Sequence, residues 1–320
     1  MPAKYINALQ MARLLPPMTS ANLQINIQTL RDGVSRFTHE GNGAIPHSFV
    51  RREIRRSIQS VIRTISEAGW DAYLVGGTIR DIVLGPSLAG PNAYYPRDID
   101  IVLVGVHHDE IRDRFAHIYS RDTRFGGVHL VDRRSGGLQI LYDLWSLENT
   151  WAFSVARGIR LAIESFPSTP FLNLDTAVVG IRSRRGRPRP VFENGFIDGI
   201  NARTIEVNFE PNPFPEICFV RALIMAAKLQ FAIGPKLVDF LLRQWSVMPV
   251  ERFLNAQASH YGTIRCNAAE LTSWISAVET QSKARRGAVR LTVYSGRQLA
   301  LWNDYPPSDL LVNEGELLSA

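Results

Sequence analysis

Residues 73–85 read YLVGGTIRDIVLG, and residues 97–104 read RDIDIVLV. These two stretches decide how the chain folds. Residues 71–75 are mostly apolar and short, as suits a buried strand. Gly76 and Gly77 then leave the backbone bare, so N–H groups can approach a crowded polyanion with no Cβ in the way. The spacing predicts a short helix after the turn, with Thr78 as its N-cap and Gly85 at its end. Such a helix aims its positive end at whatever the turn holds. Arg80, one turn in, adds a fixed cation.

In residues 98–104, polar and apolar positions alternate at first, the pattern of a strand with one wet face. Side chains at i and i+2 share a face, so Asp98 and Asp100 stand side by side. Two bare carboxylates that close repel unless a cation bridges them. Mg²⁺ favours oxygen ligands and keeps substrate phosphate in its shell. Two such ions, Mg²⁺ or alternatively Mn²⁺, can serve both the attacking and the leaving oxygen of an in-line phosphoryl displacement. Asp143, within LQILYDLWSL at 138–147, is the candidate third acid, because a lone carboxylate in an apolar strand is costly unless paired. A Gly-Gly pair alone is usually a turn, and an Asp-x-Asp alone is often a solvated strand end. The specific signal is their order: strand, Gly-Gly, helix with Arg-Asp, loop, strand with Asp-x-Asp.

The bulk numbers allow this reading. The chain has 320 residues, 45% of them apolar and 21% charged, and a net charge of +6. It has no apolar run long enough for a membrane helix. Cys218 and Cys266 lie in apolar helical contexts without metal spacing, which fits a reduced compartment. The mild basicity permits a polyanion partner, and three clusters carry it: RREIRR at 51–56, RSRRGRPRP at 182–190 and KARRGAVR at 283–290. Each is a candidate phosphate grip or a solvated surface. The first 31 residues lack Asp and Glu, but Lys4, Arg13 and Arg31 are thin charge for a transit peptide. A docking arm or a disordered lead, and a cytoplasmic protein, are the expectation.

Residues 1–45 read as a short helix at 5–14 and then an irregular lead. Helical spacing of Val50, Ile54, Ile58, Ile62 and Ile65 predicts a helix over 46–68. Further helices are expected at 108–118 and 149–164. GVHLVDRR and LQILYDLWSL form a hairpin around Ser-Gly-Gly, and DTAVVGIRS with RPVFEN forms another. From Pro213 the pattern turns helical, at 214–231, 235–244, 249–259 and 266–285, and VRLTVYSG is a late strand or an irregular tail. The class is α+β: a head at 46–210, then a helical body at 211–320. His107, His108 and His129 show no ligand spacing and read as structural or surface residues, and Trp145 and Trp151 read as core. There is no Walker A loop, no Rossmann fingerprint and no Gly-x-Ser-x-Gly.

The string LVGGTIRDIVLG…RDIDIVLV resembles the head domain of the class II tRNA nucleotidyltransferase and bacterial poly(A) polymerase family, within the polymerase-beta-like nucleotidyltransferase superfamily. RFGGVHLVDRRSGGLQILYDLWSL is similar to the family's strand pair after the Asp-x-Asp, and ENGFIDGINARTIEV to the segment closing the head. RALIMAAKLQFAI is similar to its first neck helix. The resemblance runs from about residue 50 to 235. It implies a mixed-sheet nucleotidyltransferase head with a helical neck and body. It implies that Gly76, Gly77 and Thr78 hold the triphosphate, that Arg80 contacts phosphate, and that Asp81 braces the turn or a metal-bound water. It implies that Asp98, Asp100 and Asp143 bind Mg²⁺, and that Arg221 faces the nucleotide. Arg184, Arg185, Arg187 and Arg189 are the candidate RNA-binding tip.

The pattern also breaks. The family's Arg-Arg-Asp-Phe-Thr-x-Asn-Ala stretch is replaced by ESFPSTPFLNLDTAVVGI, where only Asn173 or Asp175 echoes the Asn. The base-reading Glu-Asp-x-x-Arg of the neck is replaced by FPEICFVRA, without the Asp or the Arg. A site lacking fixed base partners loses discrimination. After Phe231 the chain runs only to Ala320, shorter than the resemblance implies for a tRNA clamp. The acceptor is then smaller, or the arginine clusters do the gripping. Three readings follow. The first is nucleotidyl transfer from an NTP to an RNA 3′ end, such as that of a tRNA. The second is the same transfer to a protein or small-molecule hydroxyl. The third is a non-catalytic nucleotide- or RNA-binding relative.

Overall fold

The structure, a computed structural model, describes residues 24–38, 49–88, 96, 98–123, 126–156, 158–182, 187–284 and 289–291. The expected helix at 5–14 lies outside them. The chain forms two compact units. Among the described residues, one comprises Ile25–Pro170 and Leu174–Ile197, and the other comprises Phe171–Asn173 and residues 198–291.

In the first unit, α1 (Ile27–Thr38) and α2 (Phe49–Glu67) precede β1 (Asp71–Val75) and α3 (Gly76–Leu88). Then follow β2 (Asp98–Val104), α4 (His108–Arg114), β3 (Tyr119–Asp122), β4 (Val128–Arg133) and β5 (Gln139–Ser146). A short α5 (Trp151–Val155) and the pair β6 (Val178–Gly180) and β7 (Val191–Phe192) complete it. The strands make one seven-stranded sheet in the order β3-β4-β5-β2-β1-β6-β7. All neighbours run antiparallel except β2 and β5, so the sheet is mixed.

Alternation along β5 explains its burial. Ile140, Tyr142, Leu144 and Ser146 are buried, while Leu141, Asp143 and Trp145 are half-buried. The buried row lies on the side of the sheet covered by α2, whose Ser57 hydroxyl meets both Asp132 (2.5 Å) and the Tyr142 phenol (2.6 Å). Burial pushes the Tyr142 phenol far up from its ordinary pKa, so it stays a neutral donor. On the other side, Tyr73, Val75, Val102 and Val178 pack with Phe166 and Ile163, joined by Trp145 and Phe153.

Four expectations need correction. The stretch expected to be an irregular lead contains α1, which packs so closely on α3 that a Cβ on Gly33 would stand 3.1 Å from the Ile82 side chain. The helix expected over 149–164 is only α5, because the backbone turns left-handed at Gly158 (φ +93) and continues as the 3-10 segment Ile163–Ser168. The helix after β1 starts at Gly76 itself, so Thr78 lies inside its first turn and is not the N-cap. The same helix runs through Gly85 to Leu88.

The second unit is helical, with α6 (Phe196–Ala202) leading into it. It holds α7 (Pro215–Leu229), α8 (Pro235–Val247), α9 (Val250–Tyr261) and α10 (Ala268–Ala284). A small sheet joins β8 (Thr204–Ile205), β9 (Ala232–Ile233) and β10 (Val289–Arg290). Phe219 stacks on Phe253 (centroids 4.1 Å apart), with Trp245 against both, which joins α7, α8 and α9. Among the described residues no helix is long and apolar enough to cross a membrane.

Candidate active site

Strand direction assembles the site. β1 runs antiparallel to β2, with Leu74 opposite Ile101. The end of β1, where Gly76 begins α3, therefore lies beside the start of β2, where Asp98 and Asp100 stand. β5 runs parallel to β2, and Asp143 is in register with Asp100. Register partners share a face, so the three acids project from one side of the sheet, and all three are half-exposed. Thr78 binds helix to strand. Its hydroxyl accepts the Asp100 N–H (2.8 Å) and lies 3.2 Å from the Asp98 carbonyl and 3.4 Å from Asp100 Oδ2.

The glycines have distinct roles. Gly76 has φ +59, a conformation that suits glycine, and its N–H donates to the Ala177 carbonyl at 3.1 Å. Gly76 thus shapes the turn, and its amide is committed to the neighbouring segment. A Cβ on Gly77 would stand 3.2 Å from Arg80 Nη2, so the guanidinium lies against the turn.

Arg80, expected as a fixed cation beside the turn, is held in place by carboxylates. It is buried, with Nε 3.0 Å from Asp81 Oδ1 and Nη1 2.5 Å from Asp175 Oδ1. Asp81 braces Arg80, and Arg80 in turn backs the glycine turn. Asp175 and Asn173, the candidate echoes of the family's Asn, have structural partners as well. Asn173 Oδ1 accepts the Glu206 N–H (2.9 Å), and its amide nitrogen donates to the Thr204 carbonyl (3.1 Å).

The remaining predicted residues lie elsewhere. Arg221 is on α7 in the second unit, half-buried. Arg184 and Arg185 fall outside the described residues, and Arg187 is exposed. Arg189 is a correction: it is buried, and its guanidinium donates to the Gly180 carbonyl, Ser35 and Thr38, which ties α1 to β6. It cannot also grip RNA. His129, read as structural or surface, has Nδ1 2.6 Å from Asp143 Oδ1. No sequence spacing signals that pair, which exists only through the β4–β5 register.

The donor set suits Mg²⁺, because three carboxylates on one face offer only hard oxygen ligands. Among the described residues no group of three or more His, Cys, Asp or Glu is drawn together tightly enough to hold an ion by itself. Mg²⁺ binds through one or two carboxylates plus substrate phosphates and seldom in an all-protein cage, so an open set of acids fits it.

The mixed sheet thus presents three acids beside a helix start opened by two glycines. No protein-family model matches the chain. Its sequence is 33% identical to the CCA-adding enzyme of Levilactobacillus brevis over 76 residues, 24% of this chain and 17% of that protein. It is 29% identical to poly(A) polymerase I of Salmonella typhi over 85 residues, 27% of this chain and 16% of that protein. Over these stretches the chain is similar to a CCA-adding enzyme and to a poly(A) polymerase, and it spans less than a fifth of the length of either. Among solved structures, a CCA-adding enzyme in complex with ATP has a TM-score of 0.48 at 15% identity, covering 70% of this chain and 50% of its own. The Thermotoga maritima CCA-adding enzyme complexed with tRNA-CCA gives 0.47 at 16%, covering 77% and 54%.

Proposed function

We propose that this chain is a metal-dependent, template-independent nucleotidyltransferase acting on an RNA 3′ end. The observation that carries the reading is the register of Asp143 with Asp100, two residues from Asp98, at the mouth of a helix that begins on Gly76-Gly77. In the reaction the 3′-oxygen bonds to the α-phosphorus of an NTP, the bond from that phosphorus to the bridging oxygen breaks, and pyrophosphate leaves. Asp98, Asp100 and Asp143 would hold Mg²⁺, which when bound offsets the triphosphate charge and favours the ionised hydroxyl. Asp143 also helps that hydroxyl lose its proton.

The first amides of a helix have no intrahelical partner. With Gly76 N–H committed to Ala177, those of Gly77 and Thr78 are the ones to meet phosphate. Arg80 acts from beneath the turn, through its hold on Asp81 and Asp175. The positions that should read the base lack the expected Asp and Arg, so nucleotide choice is loose or different from that of CCA addition. The same absence supports a second reading, transfer to a protein or small-molecule hydroxyl.

The test is incubation with each labelled NTP in turn, with total RNA and with protein lysate, followed by sequencing of any labelled 3′ ends. Label on RNA ends that disappears in the Asp98→Ala/Asp100→Ala variant supports the proposal. Label on protein alone moves the assignment to the second reading. Activity of the double variant near wild type ends both.

A further inference from the structure

His129 lies beside the acids, yet neither the expected glycine turn nor the Asp-x-Asp pattern assigns it a part. β4 sets it directly opposite Asp143, and β5 sets Asp143 in register with Asp100. His129, Asp143 and Asp100 therefore form one row across three adjacent strands, on one face. The imidazole is 15% exposed and the Asp143 carboxylate 34%, with Nδ1 2.6 Å from Oδ1. An ionised carboxylate only accepts hydrogen bonds, so the hydrogen of this contact sits on Nδ1. One oxygen of Asp143 is thus held from the β4 side, and Oδ2 remains for an ion.

We propose that His129 is a positioning residue for Asp143, fixing the carboxylate so that its other oxygen serves the metal. The inference rests on the reading of Asp143 as a metal-site acid. Partners that orient a ligating side chain matter because an unheld carboxylate must be ordered each time the ion binds. Removing such a partner typically weakens metal binding or activity by about 10–100-fold. A merely structural pair would instead change stability and leave ion affinity alone.

The test uses the full chain and Mn²⁺ as the probe ion, with binding read without nucleotide from the paramagnetic resonance of free Mn²⁺. His129→Ala should weaken Mn²⁺ binding by about 10–100-fold and lower kcat with little change in the KM for NTP. His129→Gln, whose amide can donate to the same oxygen, should recover most of both. If His129→Ala does not fold, His129→Leu, which fills the space without a donor, is compared with His129→Gln. Wild-type or tighter Mn²⁺ binding in the donor-less variant overturns the proposal, as does a Gln variant no better than it. Asp98→Asn/Asp100→Asn separates the two levels. If that double variant loses Mn²⁺ and His129→Ala does not, only the role of His129 falls. If the double variant binds Mn²⁺ normally, the metal-site reading falls with it.

Discussion

Thr78 Oγ1 accepts the backbone N–H of Asp100 at 2.8 Å, and so fixes the first turn of α3 to the strand that carries two acids. A hydroxyl can do this inside a helix because its single hydrogen is spent on the same strand, at the Asp98 carbonyl or Asp100 Oδ2.

Thr78→Val keeps the shape and removes the hydroxyl. It leaves the half-buried Asp100 amide without this acceptor, a loss of about 1–3 kcal/mol. Urea unfolding should show that loss. Nucleotide incorporation should fall by more than the stability change explains, because Asp98 and Asp100 lose their anchor. Full activity at reduced stability would mean that the acids are placed by the sheet alone.

Gly76→Ala forces a side chain into a left-handed conformation at φ +59, for about 1–2 kcal/mol. Gly77 has no such φ, so Gly77→Ala should cost less in stability. Its new methyl would instead press on Arg80 and narrow the approach to the turn. The expected contrast is a lower urea midpoint for Gly76→Ala and a raised KM for NTP with Gly77→Ala.

Arg80→Met removes a cation that is paired with two buried carboxylates, Asp81 and Asp175. Breaking a buried pair from one side costs about 3–5 kcal/mol, mostly from the charges left behind. The single variant should unfold well below the wild-type temperature. Adding Asp81→Asn and Asp175→Asn should recover much of the loss, as measured by thermal denaturation.

In the helical unit, Glu206 accepts the N–H groups of Lys236 and Leu237 in the first turn of α8, and that of Val207. Glu206→Ala should cost about 0.5–2 kcal/mol, the usual range for losing an N-terminal cap. Gly234→Ala should also destabilise, since its Cβ would meet the same carboxylate. Calorimetry on the two single variants and the double variant checks this. The losses should not add, because both act on one contact.

What was legible in the sequence was what local pattern encodes. The alternation of β2 and β5, the hairpins, the glycine turn and the acids at 98, 100 and 143 all follow from spacings of two or from adjacent turn residues. The body helices followed from runs of apolar residues that the helical period explains. What stayed hidden depends on partners far along the chain. The sequence shows Arg80 as a cation fixed one turn in, but not the Asp175 carboxylate that holds it, and Arg189 looks like part of a basic tip until α1 supplies Ser35 and Thr38. α1 is hard to read because its glycine, a poor helix former, is needed for its close approach to Ile82. His129 gains meaning only when β4 is laid against β5.

Tyr142 and Asp143 are neighbours in β5 with opposite outlooks. The phenol is fastened to Ser57 beneath the sheet, while the carboxylate looks out above it. A slip of β5 by one place against β2 would exchange them, and a phenol would stand where an acid is needed. The helix side of the sheet thereby acts as a detent: the alignment of the acids is enforced from behind, by groups remote from any nucleotide.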